Sequence, residues 1–327
     1  MPGDPITCQR PRMDRAEKVL SPSFLLPICF PNGMGWGYIY PTGETAIPPV
    51  FSYANRFSEG LAAVQDNGFF GYIETSGTLA MPSRFLEAED FSAGLAVVCD
   101  KETRKYGMID RTGKYRIPPN FDSLALPTWG LSLASSNGKC GFIDGAGCYR
   151  IPPVYDNGDC FDECGWACVE QNGDCLFIGL DGKPVLRVDC EYASPFYTGL
   201  SIIRKNGKYG CIDRTGKIVT PCIYDELSFA EEGTFAVKEN GKWMFTDYFG
   251  TPLFNTSFDN VSPFAEGFAG ICRSDLWGFI AHDGNPLISP MFLETGAFQH
   301  SVAQIVSTDG EMRYLHISGK QICICQI

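Results

Sequence analysis

The chain has 327 residues, of which 44% are hydrophobic and 13% aromatic, and its formal net charge is −12 at pH 7. This composition is ample for a hydrophobic core and excludes an intrinsically disordered chain. The acidic balance argues against nonspecific binding to nucleic acid or to an anionic membrane, because both kinds of partner call for a basic surface.

The first 23 residues carry basic side chains but no hydrophobic region of the kind found in a secretory signal peptide. We expect residues 1–23 to be a lead-in segment that is poorly ordered or forms a short helix. The apolar run Phe24–Phe30 contains Pro27 and is too short to cross a membrane, and no other stretch approaches that length. The sequence therefore predicts a cytoplasmic protein without a membrane segment.

From Phe24 onward the sequence repeats itself with a period of about 34 residues. The clearest marker is a glycine that recurs 34 to 36 residues apart, at Gly43, Gly77, Gly113, Gly147, Gly182, Gly216, Gly250, Gly284 and Gly319. A fixed period of this size is typical of a repeat architecture. We assign residues 24–327 to a single array of about nine units.

One copy shows how each unit is built. Leu200–Arg204 and Tyr209–Asp213 are rich in strand-forming residues and flank Asn206-Gly207, the dipeptide that most favours a tight hairpin turn. A third strand, Ile218–Thr220, follows, and we expect Pro221 to end it because proline donates no ladder hydrogen bond. The sequence predicts an all-β protein made of about nine three-stranded meanders.

A phenylalanine usually precedes the first strand of each unit, at Phe57, Phe91, Phe196, Phe229 and Phe264. Its regular position predicts a core residue. We expect these rings to stack on the equivalent ring of the next unit and to form one continuous core along the array.

The second strand carries a recurring motif. It reads Trp-Gly-Tyr-Ile from Trp36 and Trp-Gly-Phe-Ile from Trp277, while Tyr106, Cys140 and Tyr209 replace the tryptophan before the glycine in other units. The fifth copy, Cys175-Leu176-Phe177-Ile178, has lost both residues. The pattern resembles the bacterial WG-repeat family, also called KWG repeats, over nearly the whole chain. This resemblance implies a repeat scaffold without shared catalytic residues.

Two arrangements of the units fit the repeat. An open β-superhelix stacks its units and exposes two ends, whereas a closed β-propeller-like ring leaves only short edges. Both terminal units look whole, and nine units exceed the usual number of propeller blades. The sequence therefore favours the open superhelix, with the closed ring as the alternative.

Fifteen cysteines are present, and without a signal peptide we expect free thiols. The densest group is Cys160, Cys164, Cys168 and Cys175, and four thiolates can bind zinc. The spacing contains no C-x2-C pair, and Cys168 and Cys175 occupy columns that hold packing residues in other units. We predict packing roles, keep these four cysteines as metal candidates and predict no cofactor. Cys323 and Cys325 are expected to share one face of a final strand.

The remaining polar candidates also have structural explanations. The three histidines, His282, His300 and His316, fall at turns and form no recognisable catalytic or metal motif. A carboxylate column precedes the turn glycine at Glu74, Asp110, Asp144, Asp213 and Asp247. Such a row could bind calcium or a basic partner, but we favour capping of the turn backbone by the aspartates.

The leading functional hypothesis is a non-catalytic scaffold that binds another protein, basic or neutral in charge, through variable loops between strands. The units diverge most at residues 99–105, 157–168 and 272–276. The alternative is a small-ligand-binding protein, acting as a sponge or an enzyme, with a pocket where repeats deviate together, above all in the fifth unit. A structural role in a larger assembly is a third hypothesis. Neither nucleic acid nor membrane is expected as a partner.

Overall fold

The computed structural model describes residues 24–30, 34–229 and 232–322, and within these ranges it contains strands and turns but no helix. The predicted all-β class is therefore confirmed. The lead-in at 1–23, the first Asn-Gly turn at 32–33 and the Cys323 and Cys325 pair lie outside the described residues. No helix in the described part is long and apolar enough to cross a membrane.

The described strands group into nine consecutive units, here called units 1 to 9. Units 1 to 3 comprise β1 Leu26–Phe30, β2 Gly35–Ile39, β3 Thr45–Phe51, β4 Tyr53–Ala54, β5 Leu61–Asp66, β6 Phe69–Glu74, β7 Leu79–Ala88, β8 Leu95–Asp100, β9 Tyr106–Asp110 and β10 Tyr115–Phe121. Units 4 to 6 comprise β11 Ser123–Leu124, β12 Ser132–Ser136, β13 Lys139–Ile143, β14 Tyr149–Tyr155, β15 Asn157–Gly158, β16 Ala167–Gln171, β17 Asp174–Ile178, β18 Pro184–Val188, β19 Tyr192–Ala193, β20 Leu200–Lys205, β21 Lys208–Asp213 and β22 Ile218–Tyr224. Units 7 to 9 comprise β23 Glu226–Phe229, β24 Thr234–Glu239, β25 Lys242–Asp247, β26 Asn260–Val261, β27 Phe268–Arg273, β28 Leu276–Ala281, β29 Pro286–Phe292, β30 Glu294–Thr295, β31 Val302–Val306, β32 Met312–His316 and β33 Gln321–Ile322.

Each unit is a small antiparallel meander, as the sequence predicts, and most units add a short strand before the meander that the sequence did not reveal. In unit 6, β19 pairs with β20, β20 with β21, and β21 with β22. Small meander sheets of three or four strands repeated along the chain are typical of propeller-like proteins. Strand β7 is long enough to serve as the third strand of unit 2 and the first short strand of unit 3, which joins those two sheets.

The Asn-Gly turns take the backbone conformation that the sequence predicts. Asn206 and Gly207 have φ angles of 52° and 72°, and Asn67 and Gly68 have φ angles of 50° and 82°. Two successive left-handed residues are the signature of a type I′ hairpin turn, whose twist matches the flanking strands.

The prediction that Pro221 ends the third strand is wrong. Strand β22 continues to Tyr224, and its register against β21 shifts between the pairs Cys211↔Thr220 and Tyr209↔Tyr224. Three residues of β22 thus face the single residue Gly210. A bulge of this kind accommodates proline, because its residues are not needed as ladder donors.

The bulge explains the glycine of the Trp-Gly motif. A Cβ atom on Gly210 would lie 2.6 Å from the Thr220 carbonyl oxygen, and one on Gly278 would lie 2.4 Å from that of Ile288. Gly37, Gly71, Gly107 and Gly141 face the same close approach. The glycine is therefore required by the backbone of the neighbouring strand rather than by a ligand.

Aromatic rings pack between neighbouring units, although not in the predicted way. Phe91 packs against Tyr72 of the preceding unit at a centroid distance of 4.9 Å, and Phe264 packs against Phe245 at 4.7 Å. The expectation that each phenylalanine stacks on the next phenylalanine is wrong, because the second strand of the preceding unit lies between them. The core accordingly consists of separate clusters, most of them spanning two neighbouring units.

The first and last units are in contact. The Tyr314 hydroxyl donates a 2.7 Å hydrogen bond to the Pro27 carbonyl, and Leu26, Ile28 and Val302 pack with that ring in one buried cluster. Tyr72, at the equivalent position of unit 2, donates its hydroxyl to the Glu89 carbonyl of unit 3 at 2.6 Å. The contact between units 9 and 1 thus uses the same tyrosine position as a contact between consecutive units.

Candidate interaction site on the fifth unit

The four cysteines proposed as metal candidates do not converge. Cys168 and Cys175 are buried in a hydrophobic cluster between units 5 and 6, whereas Cys164 is exposed and Cys160 is partly buried. In the ranges that the structure describes, no three His, Cys, Asp or Glu side chains are placed to hold a metal ion. Burial raises the pKa of Cys160 and Cys168, with smaller contributions from Asp159, which makes both thiols poorer ligands.

The carboxylate column forms turns. The Asp144 carboxylate accepts the backbone N–H groups of Ala146 at 2.9 Å and Cys148 at 3.0 Å, and Asp110 and Asp213 make equivalent bonds. Hydrogen bonds from the hydroxyls of Thr112 and Thr215 make the largest contribution to lowering the pKa of Asp110 and Asp213, and the backbone bonds lower it further. For Asp144 the backbone bonds themselves are the largest cause of the lowered pKa. Turn capping by these aspartates is therefore confirmed.

Unit 5 departs from its neighbours at residues 161–166. Four chain steps separate Phe161 from Gly165, against three from Phe196 to Gly199 in unit 6. The Asp162 carboxylate organises the longer turn by accepting the backbone N–H groups of Cys164 at 2.8 Å and Trp166 at 3.0 Å. Its side chain is only 2% exposed. A buried carboxylate of this kind requires a charged partner.

Arg214 of unit 6 is that partner. Its Nη2 donates to Asp162 Oδ2 at 2.9 Å. The guanidinium lies 4.6 Å from the ring centroid of Phe196 and 5.2 Å from that of Trp166, both within cation–π distance. Its Nη1 atom is buried and has no hydrogen-bond partner among the described residues.

Trp129 of unit 4 completes the group. Its indole N–H donates to the Asp162 carbonyl at 2.8 Å, while 59% of the residue remains exposed to solvent. The backbone of Trp129 is left-handed, with φ at 54°. We call Trp129, Asp162, Trp166, Phe196 and Arg214 the unit 5 cluster.

A recess of about 450 Å³ adjoins the unit 5 cluster. Its lining comprises Asp159, Cys160, Phe161, Asp162, Glu163, Pro195, Phe196 and Tyr197. Desolvation in the recess raises the pKa of Asp159. The recess thus combines aromatic walls with carboxylates, and the sole cationic side chain bonded to its described lining is Arg214.

The sequence pointed to this region through the divergence of residues 157–168 but missed Trp129 and Arg214. Arg214 lies 52 residues beyond Asp162, at a turn that looks ordinary in its own unit. The other two divergent loops have local explanations. Asp100 caps the turn at 102–103, and the Ser274 N–H donates to Asp259 at 2.8 Å.

A family model described as WG containing repeat matches seven consecutive segments, residues 36–68, 70–102, 106–140, 141–174, 177–209, 209–243 and 247–277. Among solved structures, the chain is similar to a crystal structure of a eukaryotic initiation factor, with a TM-score of 0.63 and 10% identity, over 91% of this chain and 94% of that one. Kluyveromyces lactis Hsv2 scores 0.43 with 8% identity, over 82% of this chain and 96% of that one. The C-terminal WD40 domain of Sif2 scores 0.41 with 11% identity, over 80% and 79%. No curated protein matches the chain in sequence.

Proposed function

Since the chain belongs to the family of proteins with WG-containing repeats, we propose that it is a non-catalytic scaffold that binds another protein through the unit 5 cluster. Its fold is an array of small β-sheets like that of the initiation factor structure, and such arrays present broad surfaces for partners. Fold alone does not define a function, so the proposal rests on the chemistry of this surface.

The observation that carries the proposal is the composition and rigidity of the unit 5 cluster. Tryptophan, tyrosine and arginine dominate the energetics of protein interfaces. Here an exposed tryptophan is fixed by a hydrogen bond to Asp162, and the carboxylate of that residue is fixed by Arg214. A side chain that is already ordered loses less entropy on binding. The carboxylates of Asp159 and Glu163 favour a basic or neutral partner.

The arrangement of the units forms part of the proposal. We propose a closed ring of nine units rather than the open superhelix that the sequence favours. The hydrogen bond from Tyr314 to Pro27 and the buried cluster around it support closure, because they join unit 9 to unit 1 as neighbouring units are joined elsewhere. A ring also leaves no exposed end that would need a cap.

The test is native mass spectrometry of the protein isolated from the cells that produce it, with Trp129→Ala as the variant. Loss of an interface tryptophan costs about 2 kcal/mol or more of binding free energy. We therefore expect the affinity of the variant for a co-purified polypeptide to fall roughly 30-fold, and its bound fraction to fall accordingly. Phe249→Ala is the matched control, because Phe249 is 75% exposed in unit 7 and lies outside the cluster. Retention of the polypeptide by Trp129→Ala would refute the site, and a small bound molecule without any polypeptide would refute the protein scaffold.

A further inference from the structure

A second recess lies between units 2 and 3 and differs in chemistry from the unit 5 cluster. We call it the 2–3 groove. It has a volume of about 190 Å³ and is lined mainly by three aromatic rings and two carboxylates, Tyr53, Phe70, Tyr106, Glu87 and Glu89. Aromatic faces beside carboxylates are the usual surroundings of an organic cation in a protein.

An equivalent recess, the 6–7 groove, lies between units 6 and 7. Its lining includes Tyr192, Tyr209, Glu226 and Trp243. Strand pairing places Glu226 opposite Lys238 and Lys238 opposite Trp243. In unit 3 the same pairing places Glu87 opposite Cys99 and Cys99 opposite Tyr106. The two grooves therefore share a glutamate between aromatic side chains, but Cys99 stands where unit 7 has Lys238, and Glu89 stands where unit 7 has Ser228.

Two residues that line the 6–7 groove, Glu226 and Trp243, bind an ammonium group of their own chain. The Lys238 ammonium lies 2.7 Å from Glu226 Oε1 and 5.5 Å from the centroid of the Trp243 ring. One ammonium is thus bound at once by a carboxylate and by an aromatic face. The 2–3 groove offers the same pair of groups, but its own chain supplies no ammonium at that position.

The carboxylates of the 2–3 groove lack a cationic partner. Glu87 accepts a 2.6 Å hydrogen bond from the Tyr106 hydroxyl, and within the described ranges neither Glu87 nor Glu89 forms an ion pair. Burial raises the pKa of Glu89, and the nearby carboxylates of Asp90 and Glu87 raise it further. A cation in the groove would relieve this repulsion between like charges.

We propose that the 2–3 groove binds the side-chain ammonium of a lysine in a partner polypeptide, with Glu87 as its carboxylate and Tyr106 and Phe70 as its aromatic walls. The model for the bound lysine is Lys238, whose ammonium contacts both Glu226 and the Trp243 ring. The proposal rests on the scaffold function only in assuming that the ammonium belongs to a protein. The net charge of −12 favours the approach of such a basic segment.

The test uses a fluorescein-labelled oligolysine peptide, whose binding is followed by fluorescence anisotropy at physiological salt. We expect Glu87→Gln to weaken binding about tenfold, in line with the loss of one charge-assisted hydrogen bond. Glu226→Gln removes the same charge from a carboxylate that Lys238 already pairs with, so the affinity of this variant for the peptide should stay within about twofold of the wild type. Equal losses in both variants would overturn the proposal, because they would indicate binding to the overall negative charge.

A second variant tests the site from the opposite direction. Cys99→Lys places a lysine where unit 7 has Lys238, and we expect it to fill the groove and abolish peptide binding, while Cys99→Ala should leave binding intact. The same peptide with acetylated side chains should not bind. Full binding by Cys99→Lys with unchanged circular dichroism would refute the proposal. Binding of the cellular partner, which we expect Trp129→Ala to weaken, is measured independently by native mass spectrometry. A negative result with the peptide would therefore refute the 2–3 groove without refuting the scaffold function.

Discussion

The glycine of the Trp-Gly motif provides the sharpest test of the physical account of this fold. In Gly278→Ala the added Cβ atom would lie 2.4 Å from the Ile288 carbonyl oxygen, 2.7 Å from the Pro290 nitrogen and 2.8 Å from the Ser289 carbonyl carbon. All three are backbone atoms, so no side chain can turn away to make room. Normal contacts are about 3.5 Å or longer, and the third strand would have to move.

We expect Gly278→Ala to lower the free energy of unfolding by about 3 kcal/mol, at the upper end of the usual cost of overpacking. In urea unfolding followed by circular dichroism, this corresponds to a midpoint lower by roughly 1 M. The matched control is Gly145→Ala, whose Cβ would meet no atom within 4 Å. It should change stability by less than about 0.5 kcal/mol. Equal stability of the two variants would show that the bulge does not impose the glycine.

Three further predictions concern the ends, the site and the turns. In a closed ring, Tyr314→Phe should lower the free energy of unfolding of the whole protein by about 1 kcal/mol in urea unfolding, as Tyr72→Phe should through the contact between units 2 and 3. In an open array, only the last unit would become more susceptible to proteolysis. Arg214→Met should cost about 3 kcal/mol in urea unfolding because it strands a buried carboxylate, while Arg187→Met, which breaks an exposed pair, should cost less than about 1 kcal/mol. Backbone hydrogen bonds lower the pKa of Asp144 below the unfolded value of about 3.9, so its stabilisation is present above that pH and is lost as the pH falls through the folded pKa. Acid unfolding of Asp144→Asn should accordingly depend less on pH below about 4 than that of the wild type.

The hairpins could be predicted from the sequence because the information that specifies them is local. Asn206-Gly207 fixes the turn, the alternating strands on either side fix the register, and the period of the turn glycines fixes the number of units. The short first strands could not be predicted in the same way. Tyr192–Ala193 has only two residues and is held by its neighbour β20 rather than by its own propensity.

The candidate site was only half accessible to sequence reasoning. The divergence of unit 5 marked the region in which the unit 5 cluster lies, because the turn at Asp162 is one residue longer than the equivalent turn of unit 6. Its cationic partner did not stand out. Arg214 occupies a turn position where charged residues are ordinary, and its role arises only because the packing of unit 6 on unit 5 brings it to Asp162.

Unit 5 also shows that the glycine and the bulge depend on each other. Leu176 stands in place of the glycine. Only Arg187 lies between the third-strand partners of Phe177 and Cys175, whereas the three residues 221–223 lie between the equivalent partners in unit 6. Without the bulge there is room for a side chain, and Leu176 is buried there at 3% exposure.

The same exchange should be possible in unit 6. Gly210→Leu alone should destabilise the protein by about 3 kcal/mol or more, since its Cβ would lie 2.6 Å from the Thr220 carbonyl oxygen. Deleting Pro221 and Cys222 in the same chain removes the bulge and should restore most of the lost stability in urea unfolding. A double variant less stable than Gly210→Leu would mean that the bulge itself stabilises unit 6, and that the leucine of unit 5 is tolerated for a different reason.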